Sequence, residues 1–296
     1  MSKESEKEPV LYSDWLTLLG FLGESEALQY IQGQGIPLIT EPEEWLQKIR
    51  TARETVSRIS GRTKLQPQIK KLGAEYEPRL SQLKAEPTFH EHLIGMKSSS
   101  FAWVELAKIH SFQMSLNVEY VNTLIEKAPA PSDLENTVKF CLPTRDEVTK
   151  TPVLSSFNPT TNTFTIVTQN LDLRIAGNVQ GEDPNTHRPI AGFVYSFGLP
   201  QMSVVEYRGF YIMKNGYHRA YALLKKGHKF IPCLLLSTDA YQSTGGQQPG
   251  FLPIDLVISD KSPVLSDFRT PAAVLVPRRR LRMMISIHAE QQVIPM

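Results

Sequence analysis

Five consecutive residues have the types and spacing that a phosphate-binding turn requires, namely Asn215, Gly216, Tyr217, His218 and Arg219. The apolar run at 210–213 predicts a strand before them, and the pattern from residue 217 onward predicts a helix that ends at Gly227. Glycine allows a sharp turn and a close approach to a ligand. The unpaired N–H groups at the start of the helix, together with its macrodipole, would then attract an anion.

Two cationic side chains follow the glycine. Arg219 can hold phosphate oxygens through two N–H groups at once, and His218 can donate a hydrogen bond or move a proton. In the first turn of a helix a positive charge costs a few tenths to about 1 kcal/mol, and a bound anion would reverse that sign. The pair therefore indicates a negatively charged ligand. The alternative is a basic helix start that faces solvent or pairs with a carboxylate of the chain.

This block resembles the ParB/sulfiredoxin-like superfamily, in which a strand, a Gly-x-His-Arg turn and a short helix precede another strand. Residues 216–219 match the turn, and Ile231-Pro232-Cys233 matches the strand that follows. The similarity extends in outline over residues 100–240, with an insertion near 130–197. In family members the turn binds the phosphates of CTP or ATP. The resemblance therefore implies that Gly216, His218 and Arg219 contact phosphate. It leaves the cofactor open, with a nucleoside triphosphate and Mg²⁺ as the candidate.

The chain departs from the family at three points. Tyr217 stands where sulfiredoxin has its reactive cysteine, which argues against reduction of sulfinic acids. The pattern after residue 240 predicts strands, whereas ParB proteins continue with a helix-turn-helix. ParB-like serine kinases need an acid near the opening strand, and Glu105 is the residue in that neighbourhood. His218 and Glu105 are thus the candidate catalytic residues, although a strand glutamate that faces solvent is the simpler interpretation of Glu105.

Three functions stay open on these residues. The first is a nucleotide- or phosphate-binding module, in which the ligand orders the loop at 177–197 and signals to a protein partner through an N-terminal helical block. The second is a phosphotransferase or nucleotide hydrolase that uses the same turn. The third is a degenerate ParB-like fold that serves as a structural or interaction protein, which is favoured if Tyr217 fills the ligand cavity.

The surrounding elements predict an α/β (α+β) fold in a chain of 296 residues. Residues 1–10 read as a disordered leader. Residues 11–97 read as a helical bundle that docks a partner, with helices at 13–23, 25–31 and 42–61 and further pieces over 65–83. Residues 98–296 read as the ParB-like domain with added C-terminal strands, and Asn117 caps a helix within it. Strands are predicted at 101–106, 164–167, 171–175, 202–207, 210–213, 230–236, 254–258, 273–276 and 283–287, with a hairpin at Arg208-Gly209 and a polar loop over 177–189.

Composition limits the remaining classes of function. Cys141 and Cys233 are too few for a disulfide framework and read as buried thiols, and no metal site is expected. The net charge of +2 is weakly basic, so nucleic acid is possible but not favoured as a partner. A basic run near the end could contact nucleic acid or an acidic partner; it comprises Arg278, Arg279, Arg280 and Arg282. The chain has no apolar run of membrane-spanning length, so we expect a cytoplasmic protein without a membrane, and a homo-oligomer stays open.

Overall fold

The computed structural model describes residues 11–34, 42–86, 89–148, 152–170, 173–197, 200–248, 250–290 and 292. The leader predicted at 1–10 lies outside these ranges. The chain divides into two compact units, Met1–Val148 with Pro200–Arg279 and Thr149–Leu199 with Arg280–Met296. Among the described residues, helices occur together with one mixed and three antiparallel sheets, which confirms the predicted α/β class. Within the described ranges, no helix is long and apolar enough to pass through a lipid bilayer.

Among the described residues, the α-helices all lie in the first unit. They are α1 Glu24–Gly33, α2 Pro42–Ser57, α3 Glu77–Ala85, α4 Phe89–Leu93, α5 Val118–Lys127, α6 Leu134–Cys141, α7 Tyr217–Lys225 and α8 Ile254–Val257. Asn117 caps α5 as predicted, because its side chain accepts the N–H of Tyr120 at 2.9 Å. The helix predicted at the turn is confirmed as α7.

The strands belong to both units. In the first unit they are β1 Tyr12–Thr17, β2 Ile69–Lys71, β3 Ser98–Glu105, β4 His110–Ser111 and β5 Ser115–Asn117. The second unit contributes β6 Leu154–Asn158, β7 Thr163–Thr168, β8 Arg174–Glu182 and β9 Pro189–Ser196. The first unit resumes with β10 Ser203–Tyr207, β11 Phe210–Asn215, β12 Phe230–Ser237 and β13 Val274–Arg279, and β14 Met283–His288 returns to the second.

A six-stranded mixed sheet positions the turn. Its order is β2-β3-β12-β10-β11-β4, with β12 parallel to β10 and β11 parallel to β4. β10 and β11 form the hairpin predicted at Arg208-Gly209, where both residues have positive φ (52° and 80°). The central strands β10 and β12 are largely buried, as expected for apolar runs covered on both faces. β11 therefore delivers Asn215 and Gly216 to a fixed edge of the core.

The N-terminal segment is a strand, and the helix predicted at 13–23 is wrong. β1 pairs antiparallel with β13 and with β5, so that Trp15 lies opposite both Val276 and Asn117. The apolar spacing of Trp15, Leu16, Leu18 and Leu19 suits a helix, but partners far along the chain decide the backbone state. Residues 11–97 also contribute β2 to the six-stranded sheet. The division between units consequently does not fall at residue 97.

Three other local predictions are corrected. The helical pieces predicted over 65–83 are the short strand β2 followed by α3, because the prolines at 67 and 78 interrupt the helical pattern. The strand predicted at 254–258 is the helical turn α8. The polar loop predicted at 177–189 is mostly strand, since β8 and β9 pair along their length around a turn at 184–186.

The described residues of the second unit form two separate sheets. β14, β7 and β6 form an antiparallel three-stranded sheet, so the strands predicted at 164–167 and 283–287 are confirmed. β8 and β9 form a two-stranded sheet with no third strand among the described residues. All of β8 and most of β9 are exposed to solvent.

Gly20 provides a test of the first unit's packing. It lies in a short 3-10 turn against α2, where an added Cβ would lie 2.5 Å from the carbonyl oxygen of Ala52. We expect Gly20→Ala to lower the free energy of unfolding by about 1–3 kcal/mol, because α2 must move away. Urea denaturation measures this. Gly33→Ala is the matched control, since nothing lies within 4 Å of its added Cβ, and an equal loss there would contradict the packing explanation.

Candidate functional site

The backbone of the predicted turn has the conformation that the sequence indicates. Gly216 adopts φ 99° immediately before α7, and its carbonyl accepts the N–H of Ala220 at 2.8 Å. This left-handed conformation favours glycine. The space beside it is occupied, however, because an added Cβ would lie 2.6 Å from Cγ of Met202. At Gly216 the close approach is therefore to the chain's own methionine.

The residues on either side of Gly216 also use their polar groups within the protein. The side chain of Asn215 donates to the carbonyl of Gln201 at 2.9 Å. Tyr217 is buried, and its hydroxyl donates to the carbonyl of Met213. Burial raises the pKa of Tyr217. Both side chains thus fix the strand–turn–helix junction and point to internal partners.

His218 is a neutral acceptor. Its Nε2 accepts the backbone N–H of Asn117 at 3.1 Å, and its ring packs against Tyr120 and edge-on against Trp15, with centroid separations of 5.3 and 6.4 Å. Burial lowers the pKa of His218 to about 4. The ring therefore carries no charge at neutral pH, and the start of α7 has one cation, Arg219, where the sequence predicted two.

Arg219 binds backbone carbonyls. Its Nη1 donates to the carbonyl of Phe140 at 3.2 Å and its Nη2 to the carbonyl of Pro200. Phe140 lies in the last turn of α6, where carbonyls lack partners within the helix and the macrodipole is negative. Arg219 therefore caps α6 and ties it to the segment that leads into β10. None of the ion pairs between described residues includes Arg219.

Glu105 lies far from the turn that carries His218. It ends β3, and two strands separate β3 from β11, which corresponds to about 14 Å across the sheet. Its Oε2 accepts the N–H of Gln68 and the ammonium of Lys108, both at 3.0 Å. Burial alone would raise the pKa of Glu105, but these two donors bring it below its usual value. The carboxylate is thus ionised and held by its neighbours.

The basic run is divided between the two units. Arg278 lies on β13, with its guanidinium 4.3 Å above the ring of Trp15 and its Nε donating to Gln34 at 2.8 Å. Arg279 ends β13 and is exposed, whereas Arg280 and Arg282 belong to the second unit and are exposed as well. Arg278 therefore has a structural partner in the ring of Trp15.

The surroundings of the turn could not be read from the sequence pattern. The carbonyls of Phe140 and Pro200 carry no side-chain signal, and Trp15 reaches the ring of His218 only because β1 pairs with β5. Two cavities of about 480 and 210 Å³ lie elsewhere in the first unit. The first is lined by Gly20, Arg53 and Lys261 among others, and none of the five turn residues lines either one.

The cysteines are buried free thiols, as predicted. Burial raises the pKa of Cys141 to about 12 and also raises that of Cys233, so neither is a reactive thiolate at neutral pH. Among the described residues, no group of three or more His, Cys, Asp or Glu side chains has the arrangement of a metal site.

Comparison of the chain with models of protein families, with curated proteins and with solved structures gives no match. The resemblance to the ParB/sulfiredoxin-like superfamily therefore stays a prediction.

The neutral state of His218 can be measured directly. We expect its Nε2 to remain unprotonated above about pH 5 in the folded protein, because the pKa is about 4. In an unfolded chain the histidine side chain titrates near pH 6.5. Between about pH 6.5 and pH 4 the unfolded state therefore binds a proton at His218 that the folded state does not bind, so the free energy of unfolding decreases as the pH falls. Long-range ¹⁵N–¹H spectra of the imidazoles follow the titration, with the protein in urea as the control. A His218 signal that titrates near pH 6.5 in the folded state would contradict this assignment.

Proposed function

We propose that the chain is an interaction protein, in which the turn at 215–219 is a structural junction and the binding surface is the exposed hairpin of β8 and β9. The observation that carries the proposal is the exposure of this hairpin. Six of its large apolar side chains are 40–52% exposed: Ile175, Val179, Ile190, Phe193, Val194 and Tyr195. A two-stranded hairpin alone is marginally stable in water, and clustered apolar exposure is typical of a surface that a partner covers.

The internal use of the turn residues supports the first part of the proposal. Asn215, Tyr217, His218 and Arg219 each have a hydrogen-bond partner on the chain's own backbone, and Met202 occupies the position beside Gly216. A phosphate at this point would have to displace these groups. This arrangement favours the third function that the sequence leaves open, in which the ParB-like turn is kept for structure.

Anion binding at the turn is the second candidate, and one observation favours it. The guanidinium of Arg219 has no carboxylate partner among the ion pairs of the described residues, so its charge is balanced only by carbonyl dipoles. A nucleoside triphosphate, with Mg²⁺, could therefore gain a full ionic contact by replacing the carbonyls of Phe140 and Pro200. Such a ligand would have to release α6 from α7.

A dye-binding experiment tests the exposed surface. We expect Phe193→Lys combined with Tyr195→Lys to reduce the fluorescence of the apolar dye anilinonaphthalene sulfonate by about half, because the dye binds clustered apolar surface. The free energy of unfolding should change by less than about 0.5 kcal/mol. Leu134→Lys is the control, since Leu134 is as exposed as Phe193 but lies on α6. Equal fluorescence losses in both variants would overturn the assignment of the hairpin as the binding surface.

A thermal-shift screen separates the two candidates. We expect CTP, ATP and GTP, each with Mg²⁺, to leave the melting temperature unchanged, since the turn is closed by its own partners. A nucleotide present at 100 times its Kd would add about 2.7 kcal/mol and raise the melting temperature by several degrees. A nucleotide-dependent rise that disappears in Arg219→Ala would establish the second candidate and refute the first.

A further inference from the structure

On one face of the β8–β9 hairpin, large aliphatic side chains alternate with glycines. Residues opposite each other on paired strands share a face. In this hairpin, three aliphatic residues on one face each lie opposite a glycine. The pairs are Val194 with Gly177, Val179 with Gly192, and Ile190 with Gly181. Along β8 the order is glycine, valine, glycine, and along β9 it is isoleucine, glycine, valine. We call this surface the knob face.

The glycine positions on β8 are open. Nothing lies within 4 Å of the Cβ that would be added at Gly177 or at Gly181, and neither residue has positive φ. Backbone conformation therefore does not require glycine at these two places. At Gly192 the added Cβ would lie 3.5 Å from Cγ1 of Val179, which is an ordinary contact. The glycines keep the knob face indented beside each aliphatic side chain.

The pattern is complementary to itself. A two-fold axis that runs parallel to the strands, midway between β8 and β9, places β8 of one copy over β9 of the other at the same level. Gly177 then faces Val194 of the second copy, Val179 faces Gly192, and Gly181 faces Ile190. Every aliphatic side chain meets an indentation, and the contact is isologous, as in most homodimers. Sheets that pack face to face with aligned strands have this geometry.

Charge at the tip of the hairpin fits the same arrangement. The N–H of Asp183 donates to the carbonyl of Arg188 at 2.9 Å, one step past the pair of Glu182 and Pro189, and the carboxylate of Asp183 accepts the N–H groups of Asn185 and Thr186 in the turn. The two-fold axis that matches the aliphatic residues places Asp183 of each copy opposite Arg188 of the other. The register that matches the aliphatic residues thus also brings opposite charges to the same level in the two copies.

We propose that the partner of the knob face is a second copy of this chain. This inference rests on the proposed function, because it names the occupant of the same hairpin. The face is two strands wide and up to nine residues long, so the buried area falls at the small end of specific interfaces. The dimer is accordingly weak and reversible, with a Kd that is roughly micromolar.

Sedimentation equilibrium of the full chain tests the proposal through an exchange of one aliphatic residue and one glycine. Gly177→Val fills an indentation and Val194→Gly removes the side chain that enters it, and each alone should weaken the dimer at least tenfold. The double variant Gly177→Val/Val194→Gly recreates the pattern with the positions reversed and should restore the dimer. Valine at 177 also favours a strand, so weakening by that variant does not come from a lost hairpin.

The control is Ala191→Val, which adds the same kind of bulk to the opposite face, beside Gln180, and should leave the Kd unchanged. A stronger dimer in Gly177→Val would mean nonspecific apolar adhesion and would overturn the proposal, as would a double variant no better than the single ones. A wild-type chain that stays monomeric at all concentrations would overturn it too. A monomeric chain would not refute the proposed function. The proposed function fails in a different experiment, if a nucleotide raises the melting temperature and this rise disappears in Arg219→Ala.

Discussion

The first unit depends on a charged side chain that is held by carbonyls. Arg219 leaves the first turn of α7 and joins the end of α6, at Phe140, to the segment that enters β10, at Pro200. A partly buried guanidinium must keep its hydrogen bonds, because an unsatisfied charged donor costs more than the bond itself contributes. The bonds therefore fix α6, α7 and the start of β10 with respect to one another. The same bonds take up the donors that a phosphate would need.

This arrangement supports the proposal that the turn at 215–219 is a structural junction. The left-handed Gly216 is needed to pass from β11 into α7, whatever lies beside it. His218 loses its proton on burial and accepts an N–H from Asn117, so it joins α7 to the start of α5. Tyr217 is buried, and its hydroxyl donates to the carbonyl of Met213 in β11. A Gly-x-His-Arg sequence thus specifies a geometry, and the partners of its side chains decide the function.

Sequence reasoning succeeded where the signals are local. The hairpin at Arg208-Gly209, the cap at Asn117 and the passage from β11 into α7 each follow from residues within a few positions of one another. It failed where distant partners decide the state of the backbone. β1 has helical spacing but is held between β13 and β5, and the polar, glycine-rich residues of β8 read as a loop because their apolar partners lie on β9. The charge of His218 could not be predicted from the sequence for the same reason, because the pKa of His218 depends on its burial against Trp15 and Tyr120.

The contribution of Arg219 to stability can be measured without any ligand. We expect Arg219→Ala to lower the free energy of unfolding in urea by about 2–3 kcal/mol, because two carbonyls lose a charged donor. Arg219→Lys should recover only part of this loss, since one ammonium cannot replace a planar fork. Lys226→Ala, an exposed cation at the other end of α7, should change it by less than about 0.5 kcal/mol. An Arg219→Ala protein as stable as the wild type would show that the bonds from Arg219 to the carbonyls of Phe140 and Pro200 do not hold the first unit together.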